Sequence, residues 1–270
     1  AAYGRPPLGR PSVVGALTRD QVAEFARQLF DPSQLVIAVA GDVDSNAILV
    51  QLETAFGGRA ANSRTGGPVR NRDVTPATSL QRIVNSTGKA QTMSVLGMPG
   101  LSMTDPDLPA VQAVDMILGG SWLSRLFDRL RGKEGLAYGT YSRVEAYREG
   151  GAITARIGTR PEMWEQAITG LQREFRLVAT GDFTEEDLVA AKAYTRWTLI
   201  QSHAGMLAQS QHLATNIALE LPADHEWQVL EKLEAVTLDE AKRAAAQYYS
   251  PTNAWLAVTG DLFATAAPLQ

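Results

Sequence analysis

Two stretches of this sequence are near copies of one another. "TRDQVAEFARQLFDPSQLVIAVAGD" (18–42) lies over "TLDEAKRAAAQYYSPTNAWLAVTGD" (237–261) at a constant offset of 219, with no gap. Nine of the 25 positions are identical, among them Thr18/Thr237, Pro32/Pro251, Gly41/Gly260 and Asp42/Asp261. Each copy reads as a Thr-capped amphipathic helix, a Pro turn, a short apolar strand and a Gly-Asp stop. One common helix–strand unit can arise twice by chance, but the gapless match and shared punctuation favour duplication. A duplicated unit that closes a domain constrains the whole chain. The second copy closes a long stretch of sequence, whereas the first has almost nothing before it. The chain therefore reads as the closing part of one domain followed by all of a second.

The expected boundaries follow from composition. Residues 57–78, "GGRAANSRTGGPVRNRDVTPAT", are rich in Gly, Pro, Ser and Arg and lack apolar periodicity, which marks a connector. The plan is a closing segment at 1–57, a linker at 58–78, a complete domain at 79–262 and a tail at 263–270. In the closing segment, helices are expected at 18–30 and 44–56, with a buried strand at 34–42 between them. In the complete domain the apolar patterns predict strands at 80–85, 91–98, 137–147, 151–158 and 253–260. Helices are expected at 107–118, 121–131, 161–179, 184–203, 205–219, 225–233 and 237–249. Few strands alternate with helices and the strands pair locally. The fold class is therefore α+β, a mostly antiparallel sheet with helices packed on one face.

Composition excludes several function classes. The net charge of −4 comes from 25 basic and 29 acidic residues, which points to no nucleic-acid or anionic-membrane partner. There is no cysteine, so neither disulfides nor thiolate metal sites can form. No run of 18 apolar residues occurs, so no membrane span is expected, and "AAYGRPPLGRPSVVG" lacks the apolar centre of a signal peptide. The expectation is a bacterial-type soluble protein, periplasmic or cytoplasmic. The three histidines, His203, His212 and His225, form neither H-x-x-E-H nor H-E-x-x-H. His203 and His212, nine apart, are expected on opposed faces of a helix, solvated or packed. No metal site is expected in this chain.

The chemistry-bearing candidate is 119–141, "GGSWLSRLFDRLRGKEGLAYGTY". A scaffold explanation is available: Arg129 and Arg131 complement a helix dipole, Gly135 breaks the helix, and Tyr138 is a strand aromatic. Gly119 and Gly120 before a helix could offer amides to an anion, although no Lys-Ser/Thr follows as in a phosphate loop. The functional explanation is equally physical. Arg131 carries a fixed fork of five donors and Tyr138 one hydroxyl. A helix end and a strand start can aim both at one point, where they would hold a peptide carbonyl and stabilise developing charge.

The pattern Gly119-Gly120, Ser124-x-Leu126, Leu130-Arg131, three residues, Gly135-Leu136-Ala137-Tyr138 resembles a segment of the insulinase–pitrilysin family of zinc peptidases, which includes the mitochondrial processing peptidases. "YGRPPLG" through "VAGDVD" is similar to the close of that family's first domain, so the resemblance covers nearly the whole chain. It implies repeated α+β domains, in which a first domain holds zinc on an inverted H-x-x-E-H and a second supplies the arginine–tyrosine pair. That pair falls here on Arg131 and Tyr138. One departure is Gly132, expected to loosen the helix end by about 1 kcal/mol relative to alanine. The resemblance implies a substrate-binding, oxyanion-stabilising half of a zinc endopeptidase that cleaves extended peptides. Its substrate-binding residues would be Arg131, Tyr138, Gly119 and Gly120, its catalytic residues Arg131 and Tyr138. It would be inactive alone and would need zinc on a partner domain or subunit. The other implied role is an inactive structural or interaction subunit.

Overall fold

The two copies are alike wherever structure is local. In the computed structural model, which describes residues 7–30, 35–57, 81–86 and 89–262, both begin a helix with the same reciprocal cap. Thr18 Oγ1 accepts from Gln21 N–H at 3.3 Å while Gln21 Oε1 accepts from Thr18 N–H at 2.9 Å. Thr237 and Glu240 repeat this at 3.3 and 2.8 Å. These caps open α2 (Arg19–Leu29) and α9 (Leu238–Tyr248), and a shorter helix, α1 (Pro11–Gly15), precedes α2. Asp44 caps α3 (Ser45–Phe56) through the N–H groups of Asn46 and Ala47. The expected linker at 58–78 and tail at 263–270 lie outside the described residues.

The copies differ wherever structure is non-local. The second continues into a strand, Trp255–Gly260, whereas residues 35–40 of the first, expected as a buried strand, join no ladder among the described residues. A strand is completed by its neighbours' backbone groups, and among the described residues only the second copy has them. Val39 is 46% exposed where its counterpart Val258 is 2% exposed, and Phe25 is 55% exposed where Ala244 is 1% exposed.

The chain divides into two compact units, 1–74 with 202–225, and 75–201 with 226–270. The sequence assigns 202–225 to the second domain; by compactness it groups with the first unit. That unit contains α7 (Met206–Ala218), and among its described residues only Asn216 is buried.

The second unit carries the sheet: β1 (Gln81–Ser86), β2 (Thr92–Gly100), β3 (Gly139–Tyr147), β4 (Gly150–Thr159) and β5 (Trp255–Gly260), in spatial order β1-β5-β2-β4-β3. Only β1–β5 is parallel; β5–β2, β2–β4 and β4–β3 are antiparallel. The class is α+β as expected. Alternate residues such as Leu96 and Met98 of β2, Ile153 and Ile157 of β4, and Leu256 and Val258 of β5 are buried. They face α4 (Leu108–Leu118), α5 (Trp164–Ala179) and α9, whose Val111, Leu171, Phe175 and Ala245 complete the core. Two further helices are α6 (Glu185–Ser202), whose last residue falls in the first unit, and α8 (His225–Ala235). No helix among the described residues is long and apolar enough to cross a membrane.

One buried acid joins α4 to β3. Asp115 accepts from Ser142 Oγ at 2.5 Å. Burial pushes its carboxyl up to about 7, against the opposing pull of that bond, the Val144 N–H and the Arg143 charge. The native state therefore favours the neutral acid. Its contribution to stability is complete below the ordinary carboxylate pKa, near 4, and is lost as pH rises through about 7. Within that window the loss is at most about 1.4 kcal/mol per pH unit. Asp115→Asn keeps an acceptor for Ser142 and cannot ionise. Denaturant melts of the variant are expected to lack this part of the pH dependence, so it gains on wild type between pH 5 and pH 8.

Candidate functional site

The site begins where α4 ends. Gly119 and Gly120 both donate their N–H to Asp115 O, at 2.9 and 2.8 Å. Those amides are therefore engaged in closing the helix, and the pair acts through its missing side chains. Gly119 O accepts from Ser142 N–H at 3.0 Å, and a Cβ on Gly119 would stand 2.4 Å from that nitrogen. Glycine is what lets the end of α4 press against β3.

The next element departs from expectation. In place of an α-helix over 121–131 there is a turn and then a π-helix, Leu126–Lys133. Its i+5 pattern closes with Glu134 N–H donating to Arg129 O at 2.9 Å, after which Leu136 N–H reaches Leu130 O at 2.8 Å. Gly135, at φ +62, turns the chain out. The wide turn sorts the side chains. Leu126 and Leu130 are buried in the core, and Arg125 and Arg129 reach the carboxylate of Glu174. Phe127 and Arg131 line the adjoining cavity. The sequence shows the apolar spacing, but the extra residue per turn depends on what the arginines meet across the fold.

Glu174 is fully buried on α5. One oxygen takes Arg125 Nε at 3.4 Å and Arg129 Nη1 at 3.1 Å; the other takes Arg173 Nε at 3.0 Å. Arg125 continues to Asp182, Nη2 to Oδ2 at 2.7 Å, which holds that carboxyl below its ordinary range. Sequence reasoning missed Glu174. Its signal was a carboxylate amid the apolar positions Leu171, Phe175 and Val178 of an amphipathic helix.

The four residues named from sequence, Gly119, Gly120, Arg131 and Tyr138, line one cavity of about 370 Å³. Tyr138 stands one residue ahead of β3, its N–H on Gly158 O at 2.8 Å and the residue 60% exposed. Arg131 lies over the Phe127 ring, 4.6 Å from its centroid. No carboxylate among the described residues pairs with Arg131, in contrast to Arg125, Arg129 and Arg173. An unneutralised guanidinium and an accessible phenol beside one cavity can donate to a carbonyl oxygen and to the charge it develops. Among the described residues the lining carries no histidine, aspartate or glutamate, so this donor set does not fit zinc.

His203 and His212, expected on opposed faces, are brought together. The α6 helix ends at Ser202, the chain turns through 203–205, and the rings stack with centroids 4.0 Å apart and planes 15° from parallel. Each ring offers a nitrogen within 4.8 Å of one on the other, so two histidines expected apart lie close enough to share a ligand ion.

Comparison with known proteins bears on the family and the fold. The sequence pattern of the peptidase M16 inactive domain matches residues 16–194. An uncharacterized zinc protease of Streptomyces coelicolor is 34% identical over 192 residues, 69% of this chain and 41% of the relative. A probable inactive metalloprotease of Bacillus subtilis is 26% identical over 246 residues, 90% of this chain and 56% of the relative. The chain thus spans about half the length of these curated relatives. Among solved structures, a protease from Helicobacter pylori superposes with a TM-score of 0.84 at 16% identity, covering 94% of this chain and 61% of that one. A peptidase M16 inactive domain from Pseudomonas fluorescens superposes at 0.76 with 21% identity, covering 99% and 63%. At such identities the structural likeness concerns the fold alone.

The buried carboxylate generates a stability prediction. Glu174→Gln leaves Arg125 facing a neutral group in a site almost closed to water, and is expected to cost roughly 3 kcal/mol. Arg173→Gln, at a side chain 42% exposed, should cost under about 1 kcal/mol. Urea melts of both variants check the ordering.

Proposed function

Because the chain belongs to the peptidase M16 inactive-domain family, we propose that it is the substrate-binding half of a zinc endopeptidase. It would work opposite a zinc-bearing domain of the same family and be inactive alone. The observation that carries this reading is the pairing of Arg131, a cation without a carboxylate partner among the described residues, with the exposed Tyr138 on one cavity. An extended peptide lying along the cavity places a backbone carbonyl between them. Arg131 donates to that oxygen and supplies positive charge; Tyr138 Oη donates one further hydrogen bond. Both bonds strengthen as the oxygen becomes an oxyanion, which is how fixed donors lower a barrier. Gly119 and Gly120 contribute a wall without side chains, along which a backbone can approach. Zinc on the partner domain supplies the activated water.

The partner reading has its own support. The apolar faces of α2 and of residues 35–40 are exposed where their copies in the second unit are buried. A zinc-bearing domain offering strands equivalent to β1 and β2 would cover them. An alternative role, an inactive interaction subunit, is supported by the Bacillus subtilis relative named a probable inactive metalloprotease.

Two experiments follow. In the complete enzyme with a saturating peptide, Tyr138→Phe and Arg131→Ala are each expected to lower kcat roughly 100-fold with unchanged melting temperatures. The double variant should lose less than the product, because the pair acts as a unit. Full activity in Tyr138→Phe, with a lowered melting temperature, would make the tyrosine a packing residue and remove it from the clamp. Separately, Phe25→Asp should weaken association with the zinc-bearing domain at least tenfold in a sedimentation or surface-binding assay, while leaving this chain's own melting unchanged.

A further inference from the structure

His203 and His212 take no part in the cavity that holds Arg131 and Tyr138, yet the fold brings them face to face. Both belong to the first unit, His203 on the turn that follows Ser202 and His212 in the second turn of α7. Their rings stack at 4.0 Å, and each offers a nitrogen within 4.8 Å of one on the other. Two further bonds hold the turn. Gln209 Nε2 donates to His203 O at 3.0 Å, and His203 Nδ1 lies 3.1 Å from Ser202 Oγ. With the Nδ1 proton donated to that hydroxyl, the ring's lone pair is on Nε2. A metal-bound histidine has the same arrangement, in which an oxygen holds one ring N–H and fixes the tautomer that presents the other nitrogen. The donors select the ion. Neutral imidazoles suit Zn²⁺, Cu²⁺ and Ni²⁺, whereas Mg²⁺ and Ca²⁺ take oxygen ligands. A tetrahedral ion at about 2.0–2.1 Å from both nitrogens sets them about 3.3 Å apart, so they need close by at most about 1.5 Å. The terminal torsion of histidine is broad and both residues are only half-buried, so the rings can turn out of the stack and converge without disturbing a core.

We propose that His203 and His212 form a two-histidine site for a divalent ion of the Zn²⁺, Cu²⁺ and Ni²⁺ class, with water in the remaining positions. The ion is a staple: it ties the turn after Ser202 to α7. Packing does little of that work, since Asn216 is the only buried residue of the helix, and units with a small core are commonly stapled by a metal. The nine-residue spacing led to the opposite expectation only because it assumed one continuous helix, and the break at Ser202 removes that basis. The site stands independently of the peptide-binding reading, because neither histidine lines the cavity.

The test is equilibrium dialysis of the full chain against Zn²⁺, with bound metal read by elemental analysis and thermal melts recorded with and without the ion. Wild type is expected to take up one Zn²⁺ per chain and to melt at a higher temperature as the ion concentration is raised. Cu²⁺ should compete at least as well as Zn²⁺, and Mg²⁺ in large excess should not compete. His203→Gln and His212→Gln should each weaken uptake at least tenfold, because the second imidazole binds as an intramolecular partner of the first. Each should also abolish the melting shift, and the double variant should be little weaker than either single one. His225→Gln, at the third histidine of the chain, should leave both readouts unchanged. His203 lies on a turn beside the exposed Ser202 and Ala204, so its variant should melt as wild type does without metal and carries the test even where His212→Gln does not fold. Absence of saturable uptake by wild type, uptake undiminished in His203→Gln, or an equal loss in His225→Gln overturns the site.

Discussion

The carboxylate of Glu174 organises the site half of the second unit. It is completely buried and receives three arginines, two of them from the segment that becomes the π-helix. A lone carboxylate in that position would be costly, so folding must deliver Arg125 and Arg129 to it together. Delivering both, spaced four apart, while Leu126 and Leu130 enter the core, fixes the register of the whole segment. The sequence accommodates this by widening the helix to a π turn rather than by moving α5. Phe127 and Arg131 are then turned toward the cavity. Such a network contributes specificity of arrangement more clearly than net stability, and in that arrangement Arg131 has no carboxylate partner among the described residues.

A second set of contacts brings Tyr138 to the same place. The glycine pair lets the end of α4 touch Ser142, and Asp115 binds the Ser142 hydroxyl from the same helix. These bonds seat β3, the outer strand beside β4, against α4. Tyr138 enters that strand through its bond to Gly158. The glycines and the buried acid thus work together to place Tyr138, although neither donates a side-chain hydrogen bond to a peptide. Substituting Gly119 would disturb the cavity by separating α4 from β3, with no change in any donor.

The candidate pair was legible in the sequence because motif spacing survives whatever the local geometry. Arg131 and Tyr138 line one cavity even though the helix expected over 121–131 is a shorter π-helix beginning at Leu126. The aromatic surroundings were not legible. Tyr194 comes from α6, more than fifty residues away, and nothing in its own neighbourhood distinguishes it from a packed helix residue. The stacking of His203 on His212 was hidden for a related reason. A nine-residue spacing implies opposed faces only if one helix runs through it, and here the helix stops at Ser202.

The duplicated segment separates what each level decides. The sequence alone determined the two helices and their caps, because Thr with Gln or Glu three residues on satisfies helix N–H groups using neighbours in the chain. Both caps form with nearly the same distances. It also determined where each apolar run lies. Whether such a run becomes a strand was decided only in the tertiary structure. Residues 255–260 gain hydrogen bonds from β1 on one side and β2 on the other, and their alternate side chains are covered by helices. Residues 35–40 carry a similar pattern and find no partner strand among the described residues. A helix satisfies its backbone within itself, whereas a strand must be completed by another part of the fold.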